Sequence, residues 1–200
     1  MHKLFSFLLM TTLAFSSAVY GQNSNDQVTL GNQAMNEGRY RDAQLHYEAA
    51  LAKDPQNAEI YTMLGFSYHK QRYLRKADSI YRISIGLDSN ASRVHWYKGM
   101  NHIALKQDSS AIVCYKKFID LEKGRGGRLL EAYRAIGQSY ERMLRKEGLY
   151  SWQIDEMIYY YELIEQADPS FIEVPLIRNF VELVKSKRPA NQEGKWKLES

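Results

Sequence analysis

The chain has 200 residues, room for one compact domain or a short repeat array with a sizeable apolar core. Its net charge of +4 comes from 27 basic and 23 acidic residues that are evenly interspersed, a balance too mild to argue for nucleic acid. The single cysteine, Cys114, excludes an internal disulfide, so packing alone must hold the fold.

The first stretch, "MHKLFSFLLMTTLAFSSAVYGQ", has the layout of a secretory signal peptide over residues 1–21. Lys3 precedes an apolar run from Leu4 to Phe15, and Val19 and Gly21 occupy the −3 and −1 positions of a cleavage site. The run is shorter than the roughly 20 residues a spanning helix needs. No cysteine sits at the cleavage point, which argues against a bacterial lipid anchor. Cleavage removes only Lys3 among the charged residues and leaves a net charge of +3. No later segment is long and apolar enough to span a bilayer, so the expectation is an exported chain. A short leader with one lysine suits the periplasm or cell envelope of a bacterium.

From residue 24 the chain repeats itself. "GRYRDAQLHYEAALAKDP" at 38–55 is echoed by "RYLRKADSIYRISIGLDS" at 72–89, 34 positions later. Gly31, Gly65 and Gly99 share that spacing, as do Ala43, Ala77 and Ala111, and Tyr47, Tyr81 and Tyr115. Within each unit the apolar residues fall at helical spacing, as in Tyr61, Leu64, Gly65 and Tyr68. Turns near Asn36–Arg41 and Gln71–Arg75 split each unit into two helices. The glycine and alanine columns let paired helices approach closely. The tyrosine column is expected to fill the space between neighbouring hairpins, each buried ring contributing roughly 1.5–3 kcal/mol. Pro55 stops a helix and Asn57 can cap the next.

The stretch Leu30 to Pro55, "LGNQAMNEGRYRDAQLHYEAALAKDP", resembles the tetratricopeptide repeat, a 34-residue helix-turn-helix unit. Aligned on it, the repeats are 24–57, 58–91, 92–125 and 130–171. The third is degenerate, with Lys98 and Phe118 in place of a leucine and a small residue. The fourth returns with Tyr133, Ile136, Gly137 and Tyr140, and its second helix ends at Ala167-Asp168-Pro169, eight residues late. Leu176, Ile177, Phe180, Val181 and Val184, behind Pro175, predict a capping helix over 174–187. The polar segment 188–200 predicts a mobile tail carrying Trp196. The fold class is therefore all-α, an α-solenoid of about four hairpins closed by a helix, over 22–187.

The resemblance implies a right-handed superhelix whose first helices line a concave, peptide-binding groove. The groove positions would be Asn25, Val28, Asn32 and Met35, then Thr62, Met63, Phe66 and His69. Trp96, Tyr97 and Met100 follow from the third repeat, and Arg134, Gln138 and Glu141 from the fourth. Some relatives clamp a C-terminal carboxylate with lysines and asparagines. Here Asn32 matches, but Val28 and Met63 stand where a lysine and an asparagine belong, so that clamp is absent. Phe66, Trp96, Tyr97 and Met100 suit an apolar or aromatic segment instead, unless Phe66 and Trp96 only pack between helices.

Other features carry less. "KEGLYSWQ" at 146–153 brings Leu149, Tyr150 and Trp152 beside a cap at Ser151, either as a lengthened hairpin with the aromatics tucked in or as a protruding knob. "EKGRGGR" at 122–128 follows no strand and reads as a flexible joint rather than a phosphate cradle. His95 and His102 share a helix face, but without a carboxylate or thiol they make a poor metal site. Cys114 has no base beside it and is expected half-buried. Asn90-Ala91-Ser92 fits the glycosylation acceptor pattern, which matters only in a eukaryotic secretory route. No nucleophile elbow, metalloprotease motif or carboxylate pair stands out. The sequence thus predicts a non-enzymatic scaffold without cofactor or metal that holds a protein or peptide segment. A self-associating structural subunit is the alternative.

Overall fold

The computed structural model describes residues 24–123 and 127–199. The leader therefore lies outside the described residues, as do residues 124–126 of the glycine-rich joint. The chain divides into two compact units, one ending at Val94 and the other starting at His95. No described helix is long and apolar enough to cross a membrane.

The first unit holds α1 (residues 24–36), α2 (Tyr40–Leu51), α3 (Ala58–Lys70) and α4 (Leu74–Leu87). Both hairpins close with the same left-handed turn. Gly38 (φ 75°) and Arg72 (φ 68°), 34 residues apart, occupy its positive-φ position. The amides of Arg39 and Tyr73 reach back to the carbonyls of Ala34 and Tyr68. Glycine adopts that conformation freely, whereas a residue with a Cβ is held there at a cost of about 1 kcal/mol. Asn57 starts α3, its side-chain oxygen accepting from the amides of Glu59 (3.1 Å) and Ile60 (3.2 Å).

Packing follows the repeat. A Cβ on Gly31 would lie 2.6 Å from the Tyr47 ring, and one on Gly65 would lie 2.5 Å from the Tyr81 ring. Each tyrosine thus seats on the bare backbone of its own hairpin, not between neighbouring hairpins as the sequence suggested. The physical reason is shape: a glycine opens a slot in the first helix that a flat ring sixteen residues later fills. Ala34, Ala43, Tyr47 and Ala50 are fully buried around the first contact, with Ile60 and Leu64 nearly so. Gly86 is the opposite case, since nothing lies within 4 Å of its Cβ position. Gly86→Ala should therefore stabilise the chain by about 0.5–1 kcal/mol through helix propensity, read as a higher urea midpoint.

The second unit holds most of α5 (Ser92–Ala104), with α6 (Asp108–Glu122), α7 (Leu129–Lys146), α8 (Ser151–Ala167) and α9 (Val174–Lys187). Tyr115 seats on Gly99, and Tyr161 on Gly137, where a Cβ would come within 2.5 Å of the ring. Sequence reading missed Tyr161 because it falls 24 residues after its glycine instead of 16. The additional eight residues lengthen the helices: α7 spans 18 residues and α8 spans 17, against 13 for α5. Leu149 is fully buried, but Tyr150 (47% exposed) and Trp152 (61%) are not tucked against their own helices. The residue capping α8 is Tyr150, whose amide donates to Gln153 Oε1 at 3.0 Å, rather than Ser151.

The tail departs from the mobile segment its composition predicts. Leu149 and Trp196 form an antiparallel bridge with two 2.9 Å hydrogen bonds, and Gln192 Nε2 donates to the Leu149 carbonyl at 2.7 Å. Leu198 is buried in the same core, and Arg188 pairs with Asp155 at 2.5 Å. Gly148 (φ 76°) makes room, since a Cβ there would sit 2.9 Å from the Trp196 carbonyl oxygen. Backbone pairing satisfies a polar segment that side-chain composition alone describes as free.

Candidate functional site

In the first unit, Asn32 is exposed and its Oδ1 accepts from the Tyr47 hydroxyl at 2.8 Å. Met63 is half-buried against the core. Phe66 stacks on His69 with ring centroids 6.1 Å apart, and Lys70 Nζ lies 5.7 Å from the Phe66 ring. Thr62, read as groove-facing, is fully buried and hydrogen-bonded to Ser84 at 2.7 Å.

Trp96 belongs to the same slot as Thr62, three residues before the glycine, and packs half-buried against the second core. Its ring lies 5.1 Å from Phe118 and 5.3 Å from Tyr115. Phe118 occupies the slot of Ser84, so the third repeat replaces a small hydrogen-bonded pair with a large aromatic one. That exchange of sizes was visible in the sequence and was the signal for a packed Trp96. Phe66 and Trp96 fall in different units and are each engaged within their own. Met100 packs half-buried against the second core, and Tyr97 is half-buried. His95 and His102 are buried, with His102 Nδ1 2.7 Å from Gln107 Oε1; no metal-holding cluster occurs among the described residues. Cys114 is 8% exposed, more buried than expected.

The second unit presents a cleft of about 420 Å³ between α7 and α9. Gln138, Glu141 and Arg145 line one wall, Leu176, Ile177 and Phe180 the other, with Tyr161 and Glu173 completing it. Helical spacing explains the two walls. Residues 138, 141 and 145 share a stripe of α7, and 176, 177 and 180 share one of α9. Tyr161 donates to Glu141 Oε2 at 3.0 Å, and Arg145 pairs with Glu141 at 3.0 Å while lying 5.3 Å from the Phe180 ring. Arg134 does not enter the cleft but holds Glu173 at 2.9 Å. The charges are thus internally satisfied, while Leu176 is 70% exposed. Such a site can grip an apolar side chain with polar groups alongside. It offers no nucleophile–base pair.

Burial, and then the Glu141 carboxylate, pushes the Tyr161 phenol well above its ordinary range. Burial does the same to Tyr140 and Tyr115, and raises Tyr160 to about 12. A phenol with a raised folded pKa contributes stability that is fully present below the unfolded value near 10 and is lost as pH climbs beyond it. Helicity should therefore hold below pH 10 and fall between about pH 10 and 12, with tyrosinate absorbance rising alongside. Helicity that stays unchanged up to about pH 12 would contradict this.

The TPR repeat family profile matches residues 31–71. Human "Tetratricopeptide repeat protein 12" is 30% identical over 91 residues, which are 46% of this chain and only 13% of that protein. Among solved structures, MamA superposes with a TM-score of 0.68 at 20% identity, over 83% of this chain and 84% of that one. A tetratricopeptide repeat protein from Parabacteroides merdae gives 0.67 at 15% identity, covering 83% and 61%. The first TPR of Spaghetti (RPAP3), solved with the HSP90 peptide SRMEEVD, gives 0.57 at 20% identity, covering 62% and 94%.

Proposed function

This chain is a tetratricopeptide repeat protein, and from that premise we propose that it is a non-enzymatic scaffold of the bacterial envelope that holds a protein segment. The observation that carries the reading is the second-unit cleft. Its α9 wall leaves Leu176 70% exposed, and the Gln138 amide opposite makes no hydrogen bond among the described residues. A partner's apolar side chain would lie against Leu176, Ile177 and Phe180, while its backbone meets the Gln138 amide, which both donates and accepts. The peptide-bound relative supports a peptide as the kind of ligand such a fold takes. The leader supports export, with Gln22 as the first residue of the mature chain.

The test is affinity capture from the native envelope with the mature chain and with a Gln138→Ala/Leu176→Asp variant. Both side chains are away from the packed columns, so the urea midpoint should hold within about 0.5 kcal/mol. Partner affinity should fall about tenfold or more, as when a central contact is removed. A partner retained in full by the variant would refute the cleft, and a mature protein still carrying Lys3 would refute export.

A further inference from the structure

Eight of the twelve described arginines are tied to a carboxylate. Arg39 pairs with Glu37 and Asp42, Arg82 with Asp78, Arg93 with Glu59 and Arg134 with Glu173. Arg142, Arg145, Arg178 and Arg188 pair likewise in the second unit. Among the described arginines, Arg41, Arg72 and Arg75 stand exposed without such a partner, and all three lie at one edge of the first unit. Arg128 also lacks one, but its guanidinium lies over the Trp96 ring at 5.5 Å. Lys70 and Lys76 complete the set, both exposed.

The two turns are physically joined there. Gln71 Nε2 donates to the Tyr40 carbonyl at 3.2 Å and to Gln44 Oε1 at 3.1 Å, and Lys70 Nζ lies 5.4 Å from the Tyr40 ring. Lys76 Nζ lies 5.4 Å from the Tyr73 ring and 5.7 Å from Tyr68. The bordering carboxylates are engaged: Glu37 and Asp42 by Arg39, Asp78 by Arg82, and Glu48 by Gln44 and the Tyr68 hydroxyl.

Holding these cations here works against the local structure. Arg72 occupies the left-handed position that Gly38 fills in the preceding hairpin. Arg75 and Lys76 lie in the first turn of α4, which carries no acid and no side-chain cap. Positive charge at that end of a helix is unfavourable. Lys106 (φ 59°) holds the same left-handed position in the next hairpin, so the unpaired charge in the first turn of α4 is what sets this edge apart.

We infer that this turn edge is a docking surface for an acidic protein segment, distinct from the second-unit cleft and independent of it. Guanidinium forks match carboxylates in a paired geometry that lysine lacks. An anionic membrane is a poorer fit. The exposed ring amid the cations is the hydroxyl-bearing Tyr73 rather than an aliphatic wedge.

The probe is a fluorescein-labelled octaglutamate peptide, titrated with the full chain by anisotropy in low and high salt. Binding should be measurable in low salt and weaken as salt rises. Arg41→Gln/Arg72→Gln/Arg75→Gln should lose about tenfold in affinity or more. Lys146→Gln/Lys187→Gln/Lys197→Gln, which removes the same charge from the second unit, should bind as the parent does. Arg75→Glu alone tests the surface without touching the strained turn and should also weaken binding. Equal loss in both triple variants, no binding at all, or capture by phosphatidylglycerol vesicles without peptide binding would each overturn the assignment. None of these outcomes bears on the Gln138/Leu176 experiment.

Discussion

Valine in place of Gly65 is expected to cost the first unit about 3 kcal/mol or more, read by far-UV circular dichroism in urea. The Cβ position at Gly65 lies 2.5 Å from Tyr81 Cε1 and 2.7 Å from Cδ1, and Tyr81 is fully buried. The ring cannot move off Gly65 without displacing packed neighbours, since none of it reaches solvent. Alanine at the same site gains up to about 1 kcal/mol of helix propensity yet should still be destabilising, since the collision begins at Cβ. Its sign should therefore be opposite to that of Gly86→Ala. If Gly65→Ala raised the midpoint as Gly86→Ala does, the ring would not be seated on this glycine.

The second large effect is at Tyr161. Truncation to alanine should cost about 3–5 kcal/mol, because the side chain is 2% exposed and lies 6.0 Å from the Phe180 ring of α9. Tyr161→Phe keeps the ring and loses only the bond to Glu141, a change of about 0.5–1.5 kcal/mol. All three tryptophans lie in the second unit, so their fluorescence reports its unfolding selectively. Comparable losses in the two variants would mean that the hydroxyl, not the ring, holds the fourth hairpin.

The columns of Gly31, Gly65 and Gly99 and of Tyr47, Tyr81 and Tyr115 were legible because they repeat on a fixed ruler. The seat of each ring on the glycine of its own hairpin was not, since spacing alone does not say which neighbour a side chain meets. The Asn57 cap and Pro175 in the first turn of α9 were legible because they are set by neighbours in sequence. Tyr161 escaped because eight added residues shifted it without weakening the contact. For Trp96 the sequence left two places open, the groove or the packing between helices, because helix face alone does not choose between them. The partner of Trp96, Phe118, lies on the next helix, and the pair is recognisable only beside Thr62 and Ser84. The Leu149–Trp196 bridge has no sequence signature, as it is made by backbone atoms far apart in the chain. The cleft depends on how α9 docks on α8, so Leu176, Ile177 and Phe180 could be read as a helix stripe but not as a wall. Of the expected site residues, Gln138 and Glu141 line that cleft, while Asn32, Met63, Phe66 and His69 stay in the first unit.

What holds the account together is that one ring on one bare backbone closes every hairpin, the lengthened fourth included. A double-mutant cycle of Gly137→Ala with Tyr161→Leu, followed by tryptophan fluorescence in urea, addresses it directly. Once the smaller side chain replaces the ring, alanine at 137 should cost far less, giving a coupling energy of about 1 kcal/mol or more. Two losses that simply add would contradict it.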